Sequence, residues 1–97
     1  MISEPYDTKR ITELREDIAK LDRQILKCLA KRLVLAAALG EIKERLGLSL
    51  QDCEWETAVL KRNLEAGAEY GLKREVVAAL TEFLISQALA HQESLIL

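Results

Sequence analysis

The chain has 97 residues, of which 49% are hydrophobic and 31% are charged, so it is long enough for one folded domain and too apolar for a disordered segment. Its net charge of −2 creates no overall field that would attract nucleic acid, and we expect no nucleic-acid partner. One proline and four glycines leave too few turn residues for a β-rich fold. We therefore predict an all-α protein with a single domain over residues 1–97.

The first predicted helix is unusually long for a chain of this size. It runs from about Thr8 to Leu46, contains no proline and only one glycine, and repeats apolar residues at helical spacing. At 1.5 Å per residue, such a helix spans roughly 58 Å. A compact domain of this length is only roughly 35 Å across. We therefore expect a second copy of the chain to pack along the apolar stripe, giving a homodimer.

The ends of this helix carry local signals. Residues 1–7 are interpreted as a short frayed lead, with Asp7 or Thr8 as the helix cap. Gly47 follows the helix at a position where a positive φ angle is common.

Two further helices are predicted in the second half of the chain. Asp52 is a suitable N-cap for a helix from about Cys53 to Tyr70, and Gly71 ends that helix. The third helix runs from about Lys73 to Ser94. The predicted protomer therefore has one very long N-terminal helix and two shorter ones.

The chain shows no sequence signal for export or membrane insertion. Its first ten residues are polar, and no apolar run approaches the roughly 20 residues that a membrane span requires. Cys28 and Cys53 have neither metal-ligand nor redox spacing, so we interpret them as structural thiols. We expect a cytoplasmic protein that does not associate with membranes.

Several polar residues share faces with apolar ones. Arg32 and Lys43 are eleven residues apart, which places them within about 20° of each other and roughly 16 Å apart along the first helix. Arg15 is seventeen residues before Arg32, about 100° away. An antiparallel dimer of the long helices, however, would allow Arg15 of one chain to meet Arg32 and Lys43 of the other.

Three more polar positions complete this set. Asp52 and Glu56 are four residues apart on one helical face, and Gln92 lies near the end of the third helix. Taken singly, each position has an ordinary reading as a snorkelling cation, a helix cap or a solvated terminal residue. Periodicity makes a site geometrically feasible here without establishing one.

A longer run of residues is more specific than these single positions. It consists of Leu14-Arg15-Glu16-x-Ile18-x-x-Leu21-Asp22-x-x-Ile25-Leu26, then Leu29-Ala30-x-Arg32, then Gly40-x-Ile42-Lys43. This run resembles the all-helical chorismate mutase family (AroQ type), and the similarity extends from about Ile11 to Gln92. The resemblance implies a three-helix protomer in an intertwined helical homodimer with two equivalent active sites.

The resemblance also implies which residues contact the substrate, chorismate. The substrate-binding cations would be Arg15 from the partner chain, Arg32 and Lys43. Asp52 and Glu56 match positions that meet the substrate hydroxyl. Gln92 matches the residue that, together with Lys43, donates to the ether oxygen.

Two positions depart from the family pattern. Trp55 stands where the family usually has an arginine, and Ala88 stands where it often has a small hydroxyl residue. Both changes remove polar contacts to a carboxylated substrate. Trp55 has two interpretations: a hydrophobic anchor that seals the second helix against the first, which we favour, or a wall of the substrate pocket.

The resemblance implies an isomerase that converts chorismate to prephenate in the shikimate pathway of aromatic amino-acid biosynthesis, without a cofactor or a metal. Two alternatives stay open. The changes at Trp55 and Ala88 motivate another enzyme on the same fold, an isochorismate-pyruvate lyase or a 4-amino-4-deoxychorismate mutase. A non-catalytic helical dimer or regulatory module is the second alternative, and the retained polar set argues against it.

Overall fold

The computed structural model describes residues 5–96, and these residues form three α-helices. They are α1 (Pro5–Arg45), α2 (Cys53–Glu69) and α3 (Arg74–Ile96). The predictions of an all-α fold and of a very long first helix are therefore confirmed. The dimer is not part of what the structure shows and stays a prediction.

Helix α1 begins earlier than predicted. It starts at Pro5, so Asp7 and Thr8 lie inside the helix, and the prediction that one of them caps it is wrong. Proline is well accepted in a first turn because its missing N–H would have no partner there. Asp7 also places a negative charge near the positive end of the helix dipole. Residues 1–4 of the predicted lead lie outside the described residues.

Two glycines end helices in the predicted way. Gly47 has a φ angle of 68° and Gly71 one of 73°, conformations that residues with a Cβ seldom adopt. At the first end, the N–H of Leu48 donates to the carbonyl of Lys43 at 2.8 Å. At the second, the N–H of Leu72 donates to the carbonyl of Gly67 at 2.9 Å. Both are the six-to-one bond of a Schellman motif, so each helix stops one residue before its predicted last residue.

The start of α2 is capped as predicted. Asp52 has extended backbone, and its Oδ1 accepts a hydrogen bond of 3.1 Å from the N–H of Trp55. This bond satisfies one of the backbone donors that a helix leaves unpaired at its first turn. The cap fixes the first turn of α2 next to the segment that joins it to α1.

The chain divides into two compact units, and the boundary falls within α1, between residues 31 and 32. The described part of the first unit, residues 5–31, is helical throughout. The second unit holds the rest of α1, α2 and α3.

The core of the second unit lies where α2 packs against α3. Val59 and Val77 are buried, and Val77 lies directly on Gly67, where any Cβ would overlap its side chain. Beside them the side-chain amide of Asn63 donates a hydrogen bond of 3.0 Å to the hydroxyl of Thr81, which is 1% exposed. This bond satisfies a hydroxyl that would otherwise be buried without a partner.

Many large apolar side chains stay exposed in this chain. In the first unit they include Leu14, Ile18, Leu21, Ile25 and Leu26, and in the second unit Val34, Leu35, Ile42 and Leu46. Exposed apolar surface on this scale is typical of a protein interface. Among the described residues, none of the helices is both long and apolar enough to cross a membrane.

Candidate active site

A cavity of about 220 Å³ lies within the second unit. Its walls come from the last part of α1, the segment between α1 and α2, the first three turns of α2 and the second half of α3. The walls contain apolar side chains from two helices, including Leu39, Ile85 and Leu89. Charged and amide side chains enter between them, a composition that suits a small polar ligand.

Most of the site residues predicted from the sequence line this cavity. They are Arg32, Lys43, Asp52, Trp55, Glu56, Ala88 and Gln92. Arg15 is the exception, because it belongs to the first unit, is exposed on α1 and is not among the lining residues. One chain therefore brings together every predicted residue except the one that was expected from a partner chain.

Arg32 is held in the cavity by a backbone carbonyl of α3. Its Nη1 donates a hydrogen bond of 3.0 Å to the carbonyl of Leu84. Partial burial lowers the pKa of the Arg32 guanidinium, and the positive charge of Arg62 lowers it further. The guanidinium stays charged at neutral pH, so the lowered pKa means that its surroundings favour the cation less than water does. A bound anion would reverse this effect.

Lys43 is held between a carbonyl and an aromatic ring. Its Nζ donates a hydrogen bond of 3.2 Å to the carbonyl of Leu50 and lies 6.0 Å from the centre of the Trp55 ring. That distance is at the outer edge of a cation–π contact. An ammonium group has three donors, so two remain for a ligand in the cavity.

Gln92 is buried, with 6% of its surface exposed, so the ordinary reading of a solvated residue near a helix end is wrong. Its Nε2 donates a hydrogen bond of 2.8 Å to the carbonyl of Ala36 on α1. The side chain fits there because Gly40 has no Cβ: one built at that position would lie 2.8 Å from Cγ of Gln92. The amide has two N–H groups, and the second is available to a ligand.

The remaining predicted residues contribute acceptors and walls. Asp52 caps α2 through Oδ1, which leaves Oδ2 for a ligand, and Glu56 lies one turn later. Ala88 is 8% exposed and contributes only a methyl group. Trp55 is 41% exposed and lines the cavity, as the second of its two interpretations expected. Within residues 5–96, no three His, Cys, Asp or Glu side chains are grouped so that they could hold a metal ion.

Comparison with known proteins identifies the family. The family model for chorismate mutase type II matches residues 14–93. The chain belongs to this family. The resemblance seen in the sequence is therefore confirmed, and residues 14–93 form a chorismate mutase domain.

Individual relatives agree with this assignment. The chain is 29% identical over 85 residues to the chorismate mutase of Methanocaldococcus jannaschii, covering 88% of this chain and 86% of that protein. It is 29% identical over 82 residues to the bifunctional chorismate mutase/prephenate dehydratase of Buchnera aphidicola, covering 84% of this chain. It is 34% identical over 67 residues to the T-protein of Enterobacter agglomerans, covering 69% of this chain. The chain spans 21% and 18% of the lengths of those last two proteins.

Sequence reasoning missed some parts of this cavity. The carbonyls of Ala36, Leu50 and Leu84 hold the three main donors, and no side-chain pattern marks a backbone carbonyl. Arg62 also lines the cavity. A signal for Arg62 was present, because it follows Trp55 by seven residues and therefore lies on the same face of α2.

Proposed function

We propose that this chain catalyses the Claisen rearrangement of chorismate to prephenate in the cavity of the second unit, completed by Arg15 of a second copy. The observation that supports this most is the group of donors in the cavity. Arg32, Lys43 and Gln92 line the same cavity, and a backbone carbonyl orients each of them.

The rearrangement is concerted and requires no nucleophile or proton transfer. The enzyme has to hold a flexible dianion in its compact, chair-like conformer, which is catalysis by orientation. It also has to stabilise the negative charge that grows on the ether oxygen as the C–O bond breaks, as an oxyanion hole does. Fixed cations and amide donors meet both needs.

The roles of the donors follow from their chemistry. The planar guanidinium of Arg32 can donate two parallel hydrogen bonds to one carboxylate of the substrate, and Arg15 of the second copy would bind the second carboxylate. Lys43 and Gln92 serve the ether oxygen through the N–H groups that their carbonyl partners leave available. Asp52 and Glu56 accept from the substrate hydroxyl. Gln92 is neutral, so its donation does not depend on pH.

The second copy is part of this proposal. The apolar residues exposed along α1 would be covered in a homodimer, and covering the exposed part of each would contribute a fraction of the roughly 1.5–3 kcal/mol that full burial of such a side chain provides. We expect sedimentation equilibrium to give a dimer. A monomer at micromolar concentration would contradict this part of the proposal.

A mixing experiment tests whether Arg15 acts across the dimer. The variants Arg15→Ala and Arg32→Ala, each inactive alone, are co-expressed with different tags so that mixed dimers form. If Arg15 serves the partner's cavity, one site of each mixed dimer is intact, and a statistical mixture regains about one quarter of the wild-type activity. If Arg15 serves its own chain, no activity returns.

The test of the function itself is the loss of chorismate's ultraviolet absorbance with purified protein, followed by identification of the product. Conversion to prephenate supports the proposal. No turnover in a folded, helical dimer would contradict it and favour a non-catalytic or regulatory role. We include in the proposal a cytoplasmic location and a contribution to aromatic amino-acid biosynthesis.

A second candidate is a related enzyme on the same fold. It is favoured by the positions of Trp55 and Ala88, which both line the cavity and carry no positive charge to pair with a carboxylate. Turnover of chorismate, isochorismate and 4-amino-4-deoxychorismate should be compared side by side. A kcat/KM for either of the last two above that for chorismate would favour an isochorismate-pyruvate lyase or an amino-substrate mutase.

A further inference from the structure

Arg62 is a cavity residue to which neither the family pattern nor the proposed mechanism gives a role. We propose that Arg62 binds a carboxylate of the substrate and supplies the positive charge that Trp55 lacks. This inference rests on the proposed function, because it assumes a carboxylated substrate in the same cavity.

The position of Arg62 on α2 gives it access to the ligand. It lies seven residues after Trp55, which is two helical turns, roughly 10 Å along the axis and only about 20° around it. Both side chains line the cavity. Arg62 is exposed, and an arginine side chain is long enough to extend toward a ligand from two turns away.

The charges around Arg62 point to an anionic ligand. Arg62 and Arg32 line the same cavity, and after the larger effect of burial the positive charge of Arg62 lowers the pKa of the Arg32 guanidinium. Arg10 and Glu13 form an ion pair, whereas within residues 5–96 no carboxylate forms one with Arg62 or Arg32. Two neighbouring cations without a carboxylate between them repel each other. A carboxylate bound between Arg32 and Arg62 would be attracted to both cations and would offset their mutual repulsion.

The acidic side chains that line the cavity do not neutralise the positive charge of Arg62. Glu56 also lines the cavity but forms no ion pair with Arg62 in the described part of the chain. It is six residues earlier on α2, which places it about 120° away around the helix. The cavity therefore keeps the Arg62 charge available for a ligand.

The experiment compares two arginine variants with a matched control. Arg62→Gln removes the charge, Arg62→Lys keeps the charge without the two-pronged geometry, and Lys61→Gln removes an equal charge from an exposed neighbour that does not line the cavity. We expect kcat/KM of Arg62→Gln for chorismate to fall roughly 10- to 100-fold, mainly through KM, as for a lost charged hydrogen bond. Arg62→Lys should retain part of the activity, and Lys61→Gln should match the wild type.

Salt dependence and direct binding separate this role from a structural one. The kcat/KM of the wild type should fall more steeply with added salt than that of Arg62→Gln, because one attractive charge is missing in the variant. Calorimetric binding of prephenate, the product, which carries the same two carboxylates, should weaken by a similar factor, while thermal unfolding stays unchanged.

The outcomes distinguish the two proposals. An active wild type in which Arg62→Gln behaves like Lys61→Gln would overturn the role of Arg62 and leave the proposed function standing. A wild type that neither converts nor binds chorismate would overturn both. A wild type that binds chorismate without converting it would overturn the mutase activity alone, and the binding of Arg62→Gln would then decide the role of Arg62.

Discussion

Gly40 makes the position of Gln92 possible, and replacing it provides a sharp test of the proposed mechanism. A Cβ at residue 40 would lie 2.8 Å from Cγ, 3.1 Å from Cβ and 3.2 Å from Cδ of Gln92. Carbon atoms attract best at about 3.5–4.0 Å, so Gly40→Ala forces the glutamine away from α1. The hydrogen bond of 2.8 Å from Nε2 to the carbonyl of Ala36 would then be lost or distorted.

The expected magnitudes differ for stability and for activity. Overpacking costs about 1–3 kcal/mol and the lost hydrogen bond about 1 kcal/mol, whereas alanine is about 1 kcal/mol better than glycine inside a helix. The free energy of unfolding should therefore fall by about 1–3 kcal/mol. If Gln92 donates to the ether oxygen, its displacement removes one oxyanion-type donor, worth about 3 kcal/mol or roughly 100-fold in kcat.

Gly67→Ala is the matched control. Gly67 is also a buried helical glycine, and a Cβ there would overlap the side chain of Val77. Gly67 does not line the cavity, so its variant should lose stability without losing kcat. Thermal unfolding and steady-state kinetics of both variants are the assay. If Gly40→Ala keeps the kcat of the wild type, Gln92 does not need this position to donate to the ether oxygen. An equal loss of kcat in both variants would refute the role equally, because Gly67→Ala does not displace Gln92.

Three further variants test other contacts of the second unit. Lys43→Ala should lower kcat by roughly 100-fold, about 3 kcal/mol, with little change in KM, and a rise in KM alone would show that the lysine does not serve the ether oxygen. Trp55→Ala should lower kcat roughly two- to fivefold by removing the ring that lies 6.0 Å from the Lys43 ammonium, whereas Trp55→Phe should lose less. Equal kcat in Trp55→Ala, Trp55→Phe and the wild type would contradict this positioning role. Thr81→Val should lower the free energy of unfolding by about 1–3 kcal/mol, because it removes the hydrogen-bond acceptor for Asn63. Its kcat should equal that of the wild type. An unchanged urea midpoint would mean that the Asn63–Thr81 bond contributes nothing net.

The sequence predicted the helices well because their signals are local. Apolar periodicity, the cap at Asp52 and the glycines after α1 and α2 all act within a few residues of the feature that they determine. The start of α1 was missed because Asp7 and Thr8 are common cap residues, whereas the helix already begins at Pro5, which fits a first turn. The family pattern then located the residues that line the cavity.

The tertiary structure decided how those residues are held. The bonds from Arg32 to Leu84 and from Gln92 to Ala36 join residues 52 and 56 positions apart, and such contacts leave no trace in helical periodicity. The same holds for the fit of Gln92 against Gly40 and for the charge of Arg62 beside Arg32. Local spacing sets which face of a helix a side chain occupies, but only the packing of α3 against α1 and α2 determines which groups it meets there.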